Sequence, residues 1–238
     1  MIIALSGLSG TGKDTAADIL VRDHGFVKVS LADPIKRICR DVFDFTDDQL
    51  WGPSEKRNSP DPRYRRLPTE NMNQAIALDI DEQVLDLKAR GPVHLTPRYA
   101  LQKLGTEWGR GCYDDIWVEY AVRVAKELLS GYHPEGYATY DAKSGLEHSH
   151  ADDPKYRGVV ISDVRFRNEI SGLKKAGAKL IRIKRPGHEQ PKWDHPSETE
   201  QMDIPDEEFN LVINNQDSLE DLAENISFIL GNDILNHE

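Results

Sequence analysis

The strongest constraint on this chain lies in its first fifteen residues. The apolar run Ile2-Ile3-Ala4-Leu5 passes through Ser6 into Gly7-Leu8-Ser9-Gly10-Thr11-Gly12-Lys13-Asp14-Thr15, and then into Ala16, Ile19 and Leu20 at helical spacing. A buried strand that runs into a glycine-rich turn and then a helix leaves backbone N–H groups aimed at one spot, and the helix N-terminus adds positive partial charge. That is a phosphate cradle. Gly7, Gly12 and Lys13 complete the spacing G-x-x-x-x-G-K, which lets the Lys13 ammonium reach the terminal phosphates of a nucleoside triphosphate. The next position, usually a Ser or Thr whose hydroxyl meets Mg²⁺, holds Asp14, with Thr15 after it. Kinases, GTPase switches and motor ATPases all use such a loop, so it does not name a reaction.

At 238 residues the chain suits one α/β domain with insertions better than two independent domains. Its formal charge of −11 argues against a nonspecific polynucleotide binder, so any phosphate must be met by a local basic cluster. With Cys39 and Cys112 as the only cysteines, a disulfide scaffold is not expected, and both read as small buried hydrophobes in a reducing compartment. No signal-like leader and no run of membrane-spanning length is apparent, which predicts a cytoplasmic protein with no membrane partner.

Further along, Phe26–Val29 reads as a second strand, and Pro34 opens a helix with Ile35, Ile38, Cys39 and Val42 on one face and Asp33 and Lys36 at its mouth. Residues 47–68 are proline-rich and charged, a long loop by pattern, and 70–90 have partial helical spacing. Thr96-Pro97 starts another helix, with Leu101, Leu104 and Trp108 as its buried stripe and Arg98, Gln102 and Arg110 left for other faces. A helix from about Asp115 stops at Gly131, and residues 132–157 read as an exposed insertion whose histidines and aspartates match no zinc spacing. Gly158–Ser162 is a buried strand ending in Asp163, where a P-loop protein keeps a carboxylate near Mg²⁺, and Arg165 follows. Lys179–Lys184 and Phe209–Ile213 are the last strands, and Ser218 with Asp221 caps the final helix. Five short strands alternating with helices predict a parallel sheet of doubly wound type.

Five stretches together resemble the deoxynucleoside monophosphate kinases of tailed bacteriophages: Gly-Lys-Asp-Thr at 12–15, Ala-Asp-Pro-Ile-Lys at 32–36, Leu-Gln-Lys-Leu-Gly-Thr-Glu-Trp-Gly-Arg at 101–110, Asp-Val-Arg-Phe-Arg-Asn-Glu at 163–169 and His-Pro-Ser-Glu at 195–198. The likeness runs end to end, with segments of about 65–95 and 132–157 standing out as insertions; Asp14 is the family's usual residue at its position. The resemblance implies a P-loop α/β fold of nucleoside monophosphate kinase type, with ATP and Mg²⁺ as cofactors and transfer of phosphate to a deoxynucleoside monophosphate. It also implies a cytoplasmic setting (the host's, if phage-encoded), no nucleic-acid polymer, and a homodimer as one open arrangement.

Read in that frame, Gly7, Ser9, Gly10, Thr11, Gly12, Lys13, Asp14 and Thr15 hold the ATP phosphates, and Asp14, Thr15 and Asp163 hold Mg²⁺ directly or through water. Asp33, Lys36, Arg98, Gln102, Arg110 and Arg165 are expected to meet the acceptor. Arg185 opens a lid-like loop of about 185–203, so that Lys13, Asp163, Arg165 and Arg185 form the catalytic set. Two alternatives stay open: a kinase for another phosphorylated small molecule, of the phosphomevalonate or dephospho-coenzyme A kind, and an ATPase or switch.

Overall fold

All five residues of strand β1 (Ile2–Ser6) are buried, as are all but Asp163 of β7 (Gly158–Val164) and all but the two ends of β8 (Lys179–Lys184). Strands covered on both faces tolerate continuous apolar runs and favour β-branched side chains, which is what Ile2-Ile3, Val159-Val160-Ile161 and Ile181–Ile183 supply. The computed structural model describes residues 1–66, 93–131, 138–141, 146–149, 156–187, 200–216 and 218–231. The helix expected over 70–90, residues 188–199 of the lid-like loop with His195–Glu198, and the centres of the two insertions lie outside the described residues.

The described residues form two compact units, one of Met1–Asp33, Gly109–Thr139 and Glu147–Glu238, the other of Pro34–Trp108 and Tyr140–Leu146. In the first, β2 (Phe26–Val29), β7, β1, β8 and β9 (Leu211–Asn214) stand in the order β2-β7-β1-β8-β9, and every pairing is parallel. The five-stranded parallel α/β sheet expected from the sequence is therefore present. Helix α1 (Lys13–His24) ends at Gly25 in the left-handed conformation, φ 70°, with the Gly25 N–H donating to Leu20 O. It buries Ala16, Ile19 and Leu20 in one cluster with Ile3, Leu5, Ile181, Ile183 and Ile213 of the sheet and Leu222, Ile226 and Ile229 of the C-terminal helix, Leu219–Gly231. Ser218 and Asp221 exchange the expected capping bonds before that helix. Helices Ile116–Ser130 and Arg167–Lys175 meet where Gly172 leaves room for Val118; a Cβ at 172 would lie 2.9 Å from the valine.

The second unit gathers Cys39, Phe45, Leu50 and Ala100 with the partly buried Phe43, Tyr64, Leu101 and Leu104. Phe43 and Phe45 stack at 5.3 Å, and Tyr64 meets both edge-on at 5.7 Å. Burial here pushes the Cys39 thiol up to about 12, which keeps it inert, whereas Cys112 is exposed and so departs from the buried-hydrophobe expectation.

Several local expectations give way. Residues 47–58 carry two short helices, Asp47–Leu50 and Ser54–Asn58, in place of a plain loop. Backbone pairing joins β3 (Arg65–Arg66) to β4 (Val93–His94), and two short strands, β5 (Ala138–Asp141) and β6 (Leu146–Ser149), form inside the second insertion. Val42, expected on the apolar face of Asp33–Phe43, is 68 % exposed. Trp108 is 52 % exposed, because the helix that begins α-helically at Pro97–Gln102 continues as a π-helix over Lys103–Arg110. The wider turn slips the side-chain phase, so a stripe drawn at 3.6 residues per turn places Trp108 on the wrong side.

Gly158 opens β7 against the Phe26 ring, and a Cβ there would fall 2.3 Å from a ring carbon. Gly158→Ala should cost about 1–3 kcal/mol by overpacking, with part of the loss recovered in Gly158→Ala/Phe26→Leu. Urea midpoints of the two variants against the parent check this.

Candidate active site

Parallel pairing brings the carboxyl ends of four strands to one edge of the sheet: β1, which runs into the glycine-rich loop, its neighbours β7 and β8, which end near Asp163 and Arg185, and β2, which ends before Ser30. Ligands of open α/β sheets bind at that edge. The loop's shape depends on two glycines in particular. Gly7 has φ 154°, and a Cβ on it would lie 2.4 Å from Ile183 O and 2.7 Å from Thr11 Oγ1. Gly12, with φ 102°, is the N-cap of α1 and supplies no capping side chain, the kind of helix start that suits an anion. Thr11 is buried and braces the loop from within, its N–H and its hydroxyl both donating to Leu8 O, at 3.3 and 2.9 Å. Lys13 is only 6 % exposed at the start of α1.

One brace was not legible in the sequence. Asn215, at the end of β9, donates from Nδ2 to Thr11 O at 2.8 Å, and its own N–H donates to Lys184 O. The same amide nitrogen stands 2.4 Å from where a Cβ on Gly12 would be, so the glycine is required both by its backbone angle and by its neighbour.

Asp163 closes the turn between β2 and the helix that follows. Its Oδ2 accepts from Ser30 Oγ at 2.6 Å and from Ala32 N at 3.2 Å, and its Oδ1 accepts from Leu31 N at 2.9 Å. Asp33 follows directly, its N–H donating to Ser30 O. Asp14 is exposed, with Oδ1 3.9 Å from Lys28 Nζ, which also meets Asp18 at 3.4 Å. Mg²⁺ keeps several of its waters and takes one or two carboxylates. Oδ1 of Asp163 retains a lone pair beyond its single bond, and Thr15 is half-buried two residues after Lys13, so the donors fit a largely hydrated Mg²⁺. Among the described residues no three acid, histidine or cysteine side chains stand together as a metal cage.

Beyond Asp163 the chain enters Arg167–Lys175, and Glu169 of its first turn reaches back: Oε2 accepts the N–H groups of Arg165 at 2.7 Å and Phe166 at 3.0 Å, while the Arg167 N–H donates to Glu200 Oε1 at 2.9 Å. Burial pushes the Glu169 carboxyl up to about 7 and the negative Asp163 adds to the rise, against the two N–H bonds and the Arg110 charge. Arg110 lies over the Phe166 ring at 3.8 Å, donates to Asn168 Oδ1 at 3.1 Å and forms an ion pair with Asp114, Nη2 to Oδ1 2.9 Å. The backbone of Arg165 and the guanidinium of Arg110 therefore meet at one carboxylate, which the sequence showed only as part of a motif. Arg185 is exposed just past β8.

Lys36, Arg98 and Gln102 belong to the second unit. There Lys36 Nζ sits 5.3 Å from the Trp51 ring centroid, while Arg98 donates to Asn58 Oδ1 at 2.5 Å.

The family model for deoxynucleotide monophosphate kinases matches residues 1–88 and 142–226. A protein of Acanthamoeba polyphaga mimivirus named "Putative deoxynucleotide monophosphate kinase" is 30 % identical over 232 residues, 98 % of this chain and 97 % of its own length. The chain belongs to the deoxynucleotide monophosphate kinase family. It is thus a nucleotide kinase, a phosphotransferase. The family match includes the loop, Asp163, Arg165 and Glu169, takes in part of each segment set apart as an insertion, and leaves out 89–141, where Arg98, Gln102 and Arg110 lie. No helix among the described residues is long and apolar enough to cross a membrane.

Two outcomes are expected. Because the folded-state value of Glu169 is raised, the folded chain holds this proton above pH 4.5 where the unfolded chain has lost it, and stability should fall as pH rises from about 4.5 to about 7. Denaturant unfolding at pH 5 and pH 8 should show the parent losing about 3 kcal/mol more over that interval than Glu169→Gln. For the kinase's loop, Asn215→Ala removes the donor to Thr11 O and should raise KM for the phosphoryl donor about fivefold, leaving the acceptor KM unchanged in steady-state assays.

Proposed function

We propose that this kinase transfers the γ-phosphoryl group of ATP to a deoxynucleoside monophosphate by in-line displacement, releasing ADP and the deoxynucleoside diphosphate. The observation that carries the reading is the cradle: Gly12 caps α1 with no side chain, and Lys13 is buried beside it. Backbone N–H groups from Gly7 through Thr15, with Ser9, Gly10 and Thr11 shaping the turn, take the donor's phosphates, and Lys13 neutralises charge on the group in transfer.

The acceptor's phosphate has a second pKa of about 6, so its attacking oxygen is deprotonated at neutral pH and the chain needs no general base. What remains is to hold two anions in line and to neutralise them. Arg110 and Arg165 take the acceptor phosphate, where the planar fork of arginine suits two oxygens at once, and Asp33 faces the rest of the acceptor. Arg185 neutralises the transferred phosphoryl group. Mg²⁺ would screen the donor's phosphate charge, and Asp14, Thr15 and Asp163 are the residues that would hold it, directly or through water. Contacts of Lys36, Arg98 and Gln102 with the acceptor are carried forward as proposals from the sequence alone. The same reading takes the chain as a single kinase domain working in the cytoplasm without a polymer partner.

ADP release from ATP and Mg²⁺ should depend on one or more deoxynucleoside monophosphates in a panel with their ribose counterparts and an acceptor-free control. Lys13→Ala should lower that release by about a hundredfold or more with the thermal midpoint unchanged. Equal release without any acceptor would replace the transfer reading with hydrolysis.

A further inference from the structure

Resting on the reading of Arg110 and Arg165 as holders of the acceptor phosphate, we propose that Glu169 is a positioning residue, a buried carboxylate that sets the Arg110 guanidinium against the backbone from which Arg165 departs. Its two oxygens divide the work. Oε2 takes the N–H groups of the cap residue Phe166 and of Arg165 before it, while the first helical N–H, that of Arg167, goes to Glu200 Oε1. Oε1 is turned the other way, 3.7 Å from Arg110 Nη1. A helix-capping glutamate normally keeps its carboxylate at the surface, whereas Glu169 is 5 % exposed and carries the full cost of burial.

Arg110 is held on its other sides as well. Its guanidinium lies over the ring of Phe166, whose N–H Glu169 accepts, so ring, helix start and arginine are indexed to one carboxylate. Its Nη2 edge meets Asp114 and Asn168, and Asn168 is itself fixed by donating to Asp114 O and Asp115 Oδ1. Nη1 is different. It is buried, has no hydrogen-bond partner among the described residues, and stands beyond hydrogen-bond length from Glu169. Leaving a buried donor unmade costs about 1–3 kcal/mol, and an arginine recruited for stability alone would not be held in that state. The charged groups that act on Glu169 are Arg110, from the end of the π-helix, and Asp163, from β7, so the carboxylate faces one opposite and one like charge. With Glu169 uncharged, the remaining ionic partner of Arg110 is Asp114, which is largely exposed, and the guanidinium swings toward it and away from the acceptor.

The test is steady-state kinetics on this kinase at pH 8, where the Glu169 carboxyl is ionised, with whichever deoxynucleoside monophosphate the parent accepts. Glu169→Gln keeps a carbonyl for the two N–H groups and removes the charge that faces Arg110. It should raise the acceptor KM about tenfold while kcat and the ATP KM stay within about twofold. Glu169→Asp keeps the charge and should show the same split at smaller size, and it carries the test if the Gln variant does not fold. In an Arg110→Ala background, Glu169→Gln should add nothing to the acceptor KM. An unchanged acceptor KM in Glu169→Gln, a parallel loss for both substrates, or an undiminished effect in the Arg110→Ala background overturns the proposal. If Arg110→Ala itself leaves the acceptor KM unchanged, the underlying reading of Arg110 fails; a raised KM there with a silent Glu169→Gln sinks the positioning role alone.

Discussion

Parallel pairing of β1 between β7 and β8 is the constraint on which the site depends. Register fixes Ser6 opposite Val164 on one side and Arg182 on the other, so the glycine loop, the Asp163 turn and the start of Arg185 emerge at one level. Had any of the three strands run the other way, its functional end would sit a strand's length away. The apolar runs that make the strands buried on both faces thus also decide where the phosphate chemistry collects.

Around that edge the polar groups act as ties between segments far apart in sequence. Asp163 holds the 30–32 turn, Glu169 holds the 165–166 backbone, and Arg182, itself buried on β8, donates to Ile204 O and Gln201 O while its guanidinium lies 4.2 Å from the Phe209 ring. Gln201 in turn donates to Val164 O. Each is a charged or amide group paid for by several hydrogen bonds, the condition under which such groups are tolerated in an interior. The 200–206 segment is therefore fastened to the same strand ends that carry Arg165 and Arg185.

The parts legible in the sequence were those written in short-range pattern. Apolar runs gave the five strands, Gly25 and Gly131 gave helix ends, Thr96-Pro97 gave a helix start, and the glycine spacing at 7–13 gave the cradle. What escaped was either a change of helical period or a long-range contact. Trp108 and its neighbours were placed by a 3.6-residue stripe that the π-turn breaks. Glu169 was visible as a third-position acid, but only the packing of Ile116–Ser130 and Arg110 over it reveals its burial, and Asn215 read as a turn residue because its partner is 204 positions away.

That last contact orders the making of the site in time. Thr11 is made 204 residues before Asn215, so its carbonyl waits for an amide that arrives with β9, after almost the whole sheet has been made. A nascent chain halted before residue 215 carries the complete glycine motif without its brace, so the shape of the loop is a late reporter of correct folding and a poor one of synthesis having begun.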